Sequence, residues 1–224
     1  RDMEIRGVGN LLGVEQSGQM ETIGFDLYME MLQESLAEIQ GQDIPIVEDT
    51  QVDLPVTAFV PADWITEPDE KIAAYRAAAD CTSAETLVEL AASWADRYGA
   101  LPAAVVSLLQ LMELKLLAKR CGFARIKPEK PNIVLETPME EPAFRLLRQG
   151  LPQHLHGRLV YQAGHGIQHK VLARGLGVFP MDKQLEQLME WLRLMVAQIP
   201  DADGTTQAQK QEEQRLKNAE VLRV

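Results

Sequence analysis

The stretch PAAVVSLLQLMELKLLAKRCGFARIKPEKPNIVLE, residues 102–136, contains the change from helix to strand that decides the fold. Lys119 and Arg120 suit the negative end of a helix dipole, and Gly122 is placed to stop the helix. Apolar residues before that stop recur at helical spacing and form a wide stripe: Val105, Leu108, Leu109, Met112, Leu116 and Leu117. We therefore predict a helix from Pro102 to Gly122, followed by a hairpin of residues 123–127 and 132–136 around a turn at 128–131.

Upstream of this stretch, the sequence predicts one strand and two helices. Apolar residues alternate over 52–60, which indicates a half-buried strand, and Pro55 favours a sheet edge. A helix is predicted from Pro68 to about Asp80. Thr82 and Glu85 have the spacing of a capping box for the next helix, which Gly99 closes. The apolar face of that helix is predicted to comprise Leu87, Leu90, Ala91 and Trp94.

The rest of the chain completes an α+β arrangement. Downstream we predict a helix over 143–149, strands over 158–162 and 169–173, and a closing helix over 183–199. Upstream, apolar residues at helical spacing predict a long helix over 23–40. The expected organisation is a glycine-rich motif at 1–24, a connecting helix and linker at 25–50, a mixed helix and strand domain at 51–199, and a disordered or marginally helical tail at 200–224.

Composition narrows the class of protein. The 224 residues have a formal net charge of −11, which repels nucleic-acid phosphates and argues against a free-standing DNA-binding module. An acidic surface is compatible with a basic protein partner. No apolar run reaches the length of a membrane span and no signal peptide opens the chain, so we expect a cytoplasmic protein. Cys81 and Cys121 lack metal-ligand spacing and are expected to be reduced thiols.

No residue pattern indicates a metal or catalytic centre. The histidine pairs His154 with His156 and His165 with His169 have no nearby cysteine or carboxylate ligand set, and glycines around His165 argue against a helix there. Ser17 has no nucleophile elbow. The tryptophans are expected to be core or interface anchors: Trp64, Trp94 and Trp191.

Residues 1–24, RDMEIRGVGNLLGVEQSGQMETIG, form a glycine-rich stretch with two side chains suited to polar contacts, Arg6 and Gln16. The glycine spacing does not match a dinucleotide fingerprint, and no GK[ST] follows for a P-loop. The residues alone leave two alternatives open for this stretch. It can form structural turns, or it can form a loop that directs side chains at phosphates or at a neighbouring domain. The glycines that shape the loop are Gly7, Gly9, Gly13 and Gly18.

The arrangement DMEIRGxGxLLGxxQSG over residues 2–18 strongly resembles the translocation motif of bacterial transcription-repair coupling factors, which a related branched-DNA helicase shares. METIGFxLYME at 20–30 and DRYGALP at 96–102 resemble the coupling factors specifically. Similarity extends over roughly residues 1–195. Since the chain begins inside the motif and without Met, we expect it to be part of a longer protein.

The resemblance implies a role for particular residues. Arg6 and Gln16, held by Gly7, Gly9, Gly13 and Gly18, are expected to couple ATP hydrolysis to movement. Asp96 lies where family members place a carboxylate that meets arginines of an N-terminal domain. Ser93 stands where the family can place a second carboxylate, which departs from the pattern. The domain at 51–199 is therefore expected to be regulatory and autoinhibitory.

The resemblance also implies partners and cofactors for the parent protein. The parent would be an ATP- and Mg-dependent double-stranded-DNA translocase that displaces stalled RNA polymerase and recruits the excision-repair recognition factor. The nucleotide-binding motifs would lie upstream, so no catalytic residue, metal or cofactor is expected in this chain. Its own partners would be the upstream motor lobes and the N-terminal repair-factor-binding domain. The alternatives are a stand-alone protein-interaction module, or an enzyme that binds a phosphate-bearing ligand with the glycine-rich loop.

Overall fold

The computed structural model describes Leu27, residues 43–166 and 168–200, and Thr206, Gln209, Lys210, Glu212 and Arg215. The chain divides into two compact units, Arg1–Asp43 and Ile44–Val224. The glycine-rich motif lies outside the described residues, as does most of the tail after residue 200. The helix predicted over 23–40 also lies outside them, apart from Leu27, which is helical.

Between residues 43 and 200 the structure describes five α-helices and five strands. The first half contains β1 (Gln51–Val52), α1 (Pro68–Asp80), α2 (Ala84–Tyr98) and α3 (Ala103–Arg120). The second half contains β2 (Arg125–Glu129), β3 (Asn132–Thr137), α4 (Glu141–Arg148), β4 (Leu159–Gln162), β5 (His169–Ala173) and α5 (Met181–Val196). Two 3-10 turns, Gln153–Leu155 and Leu176–Val178, precede β4 and α5. This mixed architecture confirms the predicted α+β class.

The strands form one sheet in the order β1-β2-β3-β5-β4, with β1 parallel to β2 and the other pairs antiparallel. Side chains alternate between its two faces, and Ile126, Leu135 and Val171 lie in one row across the apolar face. That face shares a core with α3, α4 and α5, to which Phe144 and Trp191 contribute buried rings. All of these helices therefore pack on the same side of the sheet.

A second, smaller core lies between α1, α2 and α3. It contains Trp94 from α2 and Val105 and Leu108 from the first half of α3. The second half of α3 places Leu114 and Ala118 in the core of the sheet. One helix thus contributes to both cores.

Several predicted boundaries are confirmed by the structure. Helix α1 spans the predicted residues, α2 ends at Gly99, and α3 ends before Gly122. Trp94 and Trp191 are buried in the two cores, as expected for packing anchors. No helix in the described ranges has the length and apolar character that crossing a membrane requires.

The strand predicted over 52–60 is wrong in length, because β1 contains only Gln51–Val52. Leu54 and Val60 are buried as the alternating pattern requires, but the backbone beyond Asp53 leaves the sheet. The N–H of Val56 donates to the carbonyl of Leu54, and Pro55 has no N–H to donate to a ladder. Apolar alternation here reflects packing of an extended segment against the helices.

Two local predictions are corrected by the hydrogen bonds. The capping box of α2 uses Ser83 and Thr86 in place of Thr82 and Glu85: the Ser83 hydroxyl accepts from the Thr86 N–H at 3.3 Å, and the Thr86 hydroxyl accepts from the Ser83 N–H at 3.2 Å. The hairpin turn is shorter than 128–131, since Pro128 lies within β2 and pairs with Ile133. The short turn keeps β2 and β3 paired up to Glu129 and Asn132.

Substitutions at two glycines distinguish the cost of backbone strain from the cost of steric crowding. Gly99 and Gly122 have φ values of 85° and 78°, but a Cβ on Gly99 meets nothing within 4 Å whereas one on Gly122 lies 2.9 Å from the Pro45 ring. We expect Gly99→Ala to lower the free energy of unfolding by about 1–2 kcal/mol through φ strain, and Gly122→Ala to lower it further. Urea denaturation of the chain measures both.

Gly157→Ala is the matched control, because a Cβ there has open space and the backbone has no positive φ. Its effect is expected to stay within about 0.5 kcal/mol. Equal losses for the Gly99 and Gly122 variants would show that Pro45 does not constrain the end of α3.

The two thiols are predicted to differ in reactivity. Burial raises the pKa of the Cys121 thiol, and its Sγ lies 3.8 Å from the Leu192 carbonyl, whereas Cys81 is only half-buried. Because the thiolate is the reactive form, Cys121 should resist an aromatic disulfide reagent until the chain unfolds, while Cys81 reacts in the native state. Single Cys→Ser variants assign each thiol, and native-state labelling of Cys121 would contradict this packing.

Candidate interaction surface on helix α2

Among the predicted site residues, only Asp96 lies in the described part of the chain. Arg6, Gln16 and the four glycines of the glycine-rich motif lie outside it, so the structure gives no geometry for the coupling site. Asp96 stands in the last turn of α2, within the DRYG sequence. The surface around it is therefore the site that the structure defines.

Helix α2 is held at both ends and along one face. The Ser83–Thr86 capping box fixes its start, and Gly99, with φ 85°, ends it by donating its N–H to the carbonyl of Ala95. Between these ends, Leu87 and Trp94 are buried. The opposite side of the helix consequently faces solvent.

Two members of the DRYG sequence have intramolecular roles in addition to the glycine that ends the helix. Arg97 donates from Nη2 to Oε1 of Glu70 on α1 at 2.8 Å, and its guanidinium lies 5.0 Å from the centre of the Tyr98 ring. The Tyr98 hydroxyl donates to Oε2 of the same Glu70 at 3.3 Å. The Tyr98 ring packs edge-on against Trp64, with ring centres 5.4 Å apart. These contacts tie the last turn of α2 to α1 and to the small core.

Asp96 has no comparable role. It is exposed, and it forms no hydrogen bond or ion pair with the residues that the structure describes. A carboxylate in the last turn of a helix is slightly unfavourable against the helix dipole. Ser93, one turn earlier, is also exposed. The arrangement leaves Asp96 available to a cation supplied by another surface.

The exposed face of α2 extends from Asp96 toward the start of the helix. Glu85 and Glu89 are exposed on it, and Val88 between them is 69% exposed. The pKa of the Glu85 carboxyl is lowered, first by the backbone hydrogen bond at Glu85 and then by the Ser83 hydroxyl, so it remains ionised. We call Glu85, Val88, Glu89 and Asp96 the α2 surface. Its chemistry suits a partner with a small apolar centre and a basic rim.

Sequence reasoning identified Asp96 but missed the rest of the α2 surface. Val88 and Glu89 fall outside the apolar stripe of the helix, so the helical pattern already placed them on the solvent side. An exposed Val beside two carboxylates is the signal that could have found them. Single exposed apolar residues are common, which is why the residue itself gives no functional indication.

Comparisons with known proteins give three consistent results. The TRCF domain family matches residues 54–144. The transcription-repair-coupling factor of Escherichia coli is 35% identical over 162 residues, which cover 68% of this chain and 14% of that protein. The coupling factor of Haemophilus influenzae is 41% identical over 130 residues, which cover 56% of this chain and 11% of that protein. The chain therefore spans about a seventh or less of the length of these relatives.

A solved structure agrees with the fold. The crystal structure of a C-terminal domain of transcription-repair coupling factor matches with a TM-score of 0.55 and 17% identity, covering 70% of this chain and 97% of that one. At this identity the likeness supports the fold alone, while the family rests on the sequence matches. These sequence matches show that the chain belongs to the transcription-repair coupling factor family.

Proposed function

We propose that this chain is the C-terminal part of an ATP-dependent double-stranded-DNA translocase that displaces stalled RNA polymerase and recruits nucleotide excision repair. The family assignment supports this role for the parent protein. The parent works in the cytoplasm. ATP and Mg²⁺ are bound by upstream motor lobes, and this chain contributes coupling and regulation without catalysing a reaction itself.

The regulatory role is assigned to the domain at 51–199. Asp96 is the observation that supports it most directly, because Arg97 and Tyr98 of its motif bind Glu70 on α1, whereas Asp96 is left exposed at an unfavourable helix end. In this proposal the α2 surface contacts arginines of the N-terminal repair-factor-binding domain. That contact covers the surface that the excision-repair recognition factor needs.

The energy of this contact must come from the whole α2 surface. A single exposed ion pair contributes only about 0–1 kcal/mol, so Asp96 alone cannot keep the two domains together. Burial of Val88 and additional pairing of Glu89 would add to it, since apolar burial contributes about 25 cal/mol per Å². Partial opening is therefore the expected effect of changing Asp96 alone.

The proposed autoinhibitory contact is tested in the full-length parent protein by capture of the excision-repair recognition factor. Asp96→Arg replaces attraction to the partner arginines by repulsion and should increase capture partly, while deletion of residues 51–224 should increase it fully. Asp63→Arg makes the same charge change at an exposed position outside α2 and should leave capture unchanged. If the protein without residues 51–224 captures no more repair factor than the intact protein, the proposed autoinhibitory contact is wrong.

The coupling role is tested at the glycine-rich motif. Arg6→Ala and Gln16→Ala should each leave ATP hydrolysis by the parent protein intact and abolish its displacement of a DNA strand or of stalled polymerase, because a guanidinium or amide at the gap between motor lobes transmits the lobe movement. Glu15→Ala changes a neighbour outside the motif pattern and serves as the control. Normal translocation by the Arg6 variant would exclude this assignment.

A further inference from the structure

Glu70 is the residue on which two side chains from the end of α2 converge. Its Oε1 accepts a hydrogen bond from Nη2 of Arg97 at 2.8 Å, and its Oε2 accepts one from the Tyr98 hydroxyl at 3.3 Å. Glu70 itself stands in the first turn of α1. Both oxygens of one carboxylate are therefore bonded to the last turn of another helix.

These bonds add little to the stability of the domain. The side chains of Arg97 and Glu70 are 63% and 40% exposed, so water screens the ion pair, and exposed pairs contribute little to the free energy of unfolding. The end of α2 is also held by packing, since Trp94 is buried and the Tyr98 ring lies 5.4 Å from the Trp64 ring. Packing therefore anchors this end of α2, and the main effect of the ion pair is to fix the direction of the Arg97 side chain.

The direction of Arg97 matters because Asp96, on the α2 surface, is its neighbour in the chain. Successive side chains of an α-helix are about 100° apart around its axis, so Arg97 stands beside the edge of that surface. The residues three and four positions before Arg97 are Trp94 and Ser93, and neither has a negative charge to hold the guanidinium along the helix. Asp96 is the nearest carboxylate of α2 in the sequence, and Glu70 competes with it for the guanidinium.

A guanidinium released from Glu70 would change the charge of the α2 surface. Arg stays protonated at physiological pH, so beside Asp96 it would neutralise that carboxylate and repel a basic partner. The bond to Glu70 directs the guanidinium toward α1 instead, where it also lies 5.0 Å from the centre of the Tyr98 ring. The charged side chains of the α2 surface are then all acidic.

We propose that Glu70 is a positioning residue: it withdraws the Arg97 guanidinium from the α2 surface, so that Asp96 meets a basic partner as an uncompensated carboxylate. This inference rests on the proposed function, because the partner is the arginine-bearing N-terminal domain assigned there. It adds a residue of α1, outside the α2 surface, to the regulatory contact. Loss of Glu70 then acts through Arg97, and removal of Arg97 cancels it.

Three variants of the full-length parent protein test this dependence. The measured quantity is the apparent dissociation constant of the excision-repair recognition factor, which falls when the autoinhibitory contact opens. Glu70→Gln keeps the size of the side chain but loses the charge that holds Arg97, and it should lower this constant about two- to fivefold, the range for one exposed charge pair. Arg97→Gln and the double variant Glu70→Gln/Arg97→Gln should each stay within about twofold of the unaltered protein, because no guanidinium remains to be released.

Other roles of Glu70 give different patterns. If Glu70 only stabilised the end of α2, all three variants would lose the ion pair and all three would lower the constant. If Glu70 contacted the partner directly, Glu70→Gln and the double variant would lower it equally. Either pattern overturns the proposal, and so does an unchanged constant for Glu70→Gln.

Glu67→Gln is the matched control for the loss of one negative charge. Glu67 immediately precedes α1, is exposed, and makes no capping hydrogen bond with its side chain. This variant should leave the constant within about twofold of the unaltered protein, and an effect equal to that of Glu70→Gln would show a general charge effect and overturn the proposal. Urea denaturation of the 224-residue chain confirms that each variant is folded.

Failure of this inference can be distinguished from failure of the proposed function. If deletion of residues 51–224 increases capture but Arg97→Gln does not cancel the effect of Glu70→Gln, the autoinhibitory contact stands and Glu70 does not act through Arg97. If the deletion leaves capture unchanged, the proposed function itself is wrong.

Discussion

The described domain depends on the burial of one helix, α3, in two separate cores. Val105 and Leu108 pack with the α1–α2 helices, and Leu114 and Ala118 pack with the sheet and α5. At 18 residues the helix is about 27 Å long, enough to span both cores. Because each fully buried large side chain contributes about 1.5–3 kcal/mol, neither core is stable without its share of α3. The elements that form the two cores are consequently parts of one folded unit.

Polar contacts around α3 add orientation more than stability. Arg193 of α5 donates from Nε and Nη2 to Oε1 of Glu113 on α3, at 3.0 and 2.5 Å. Arg193 is half-exposed, so this pair is screened by solvent and contributes at most about 1 kcal/mol. Buried contacts of Cys121 and Trp191 in the same core outweigh it. Packing therefore fixes the helices, and the ion pair adds only a small contribution.

Prediction from sequence succeeded where one strong local signal determined the structure. The apolar stripe and Gly122 located α3, and Pro68 located the start of α1. It failed where two capping signals lie one residue apart. Thr82–Glu85 and Ser83–Thr86 both have capping spacing, and only the backbone conformation of Ser83 decides between them. The alternation over 53–60 marks burial correctly, but Pro55 and hydrogen bonds to other segments remove those residues from the sheet.

Asp96 and the uneven charge along the chain were predictable from the sequence to different degrees. Asp96 was found through its motif, because an exposed carboxylate near a helix end has no distinctive local pattern. The charge difference between residues 43–102, with twelve Asp and Glu against three Lys and Arg, and residues 103–200, with eight against thirteen, was missed because total charge averages over both. When charge is counted separately over each part of the chain, and then over each face of a strand, the charge differences that the net charge conceals become visible. Local charge governs screened interactions, since fields decay within about 8–10 Å at physiological salt. An acidic protein can therefore contain a basic half beside an acidic half.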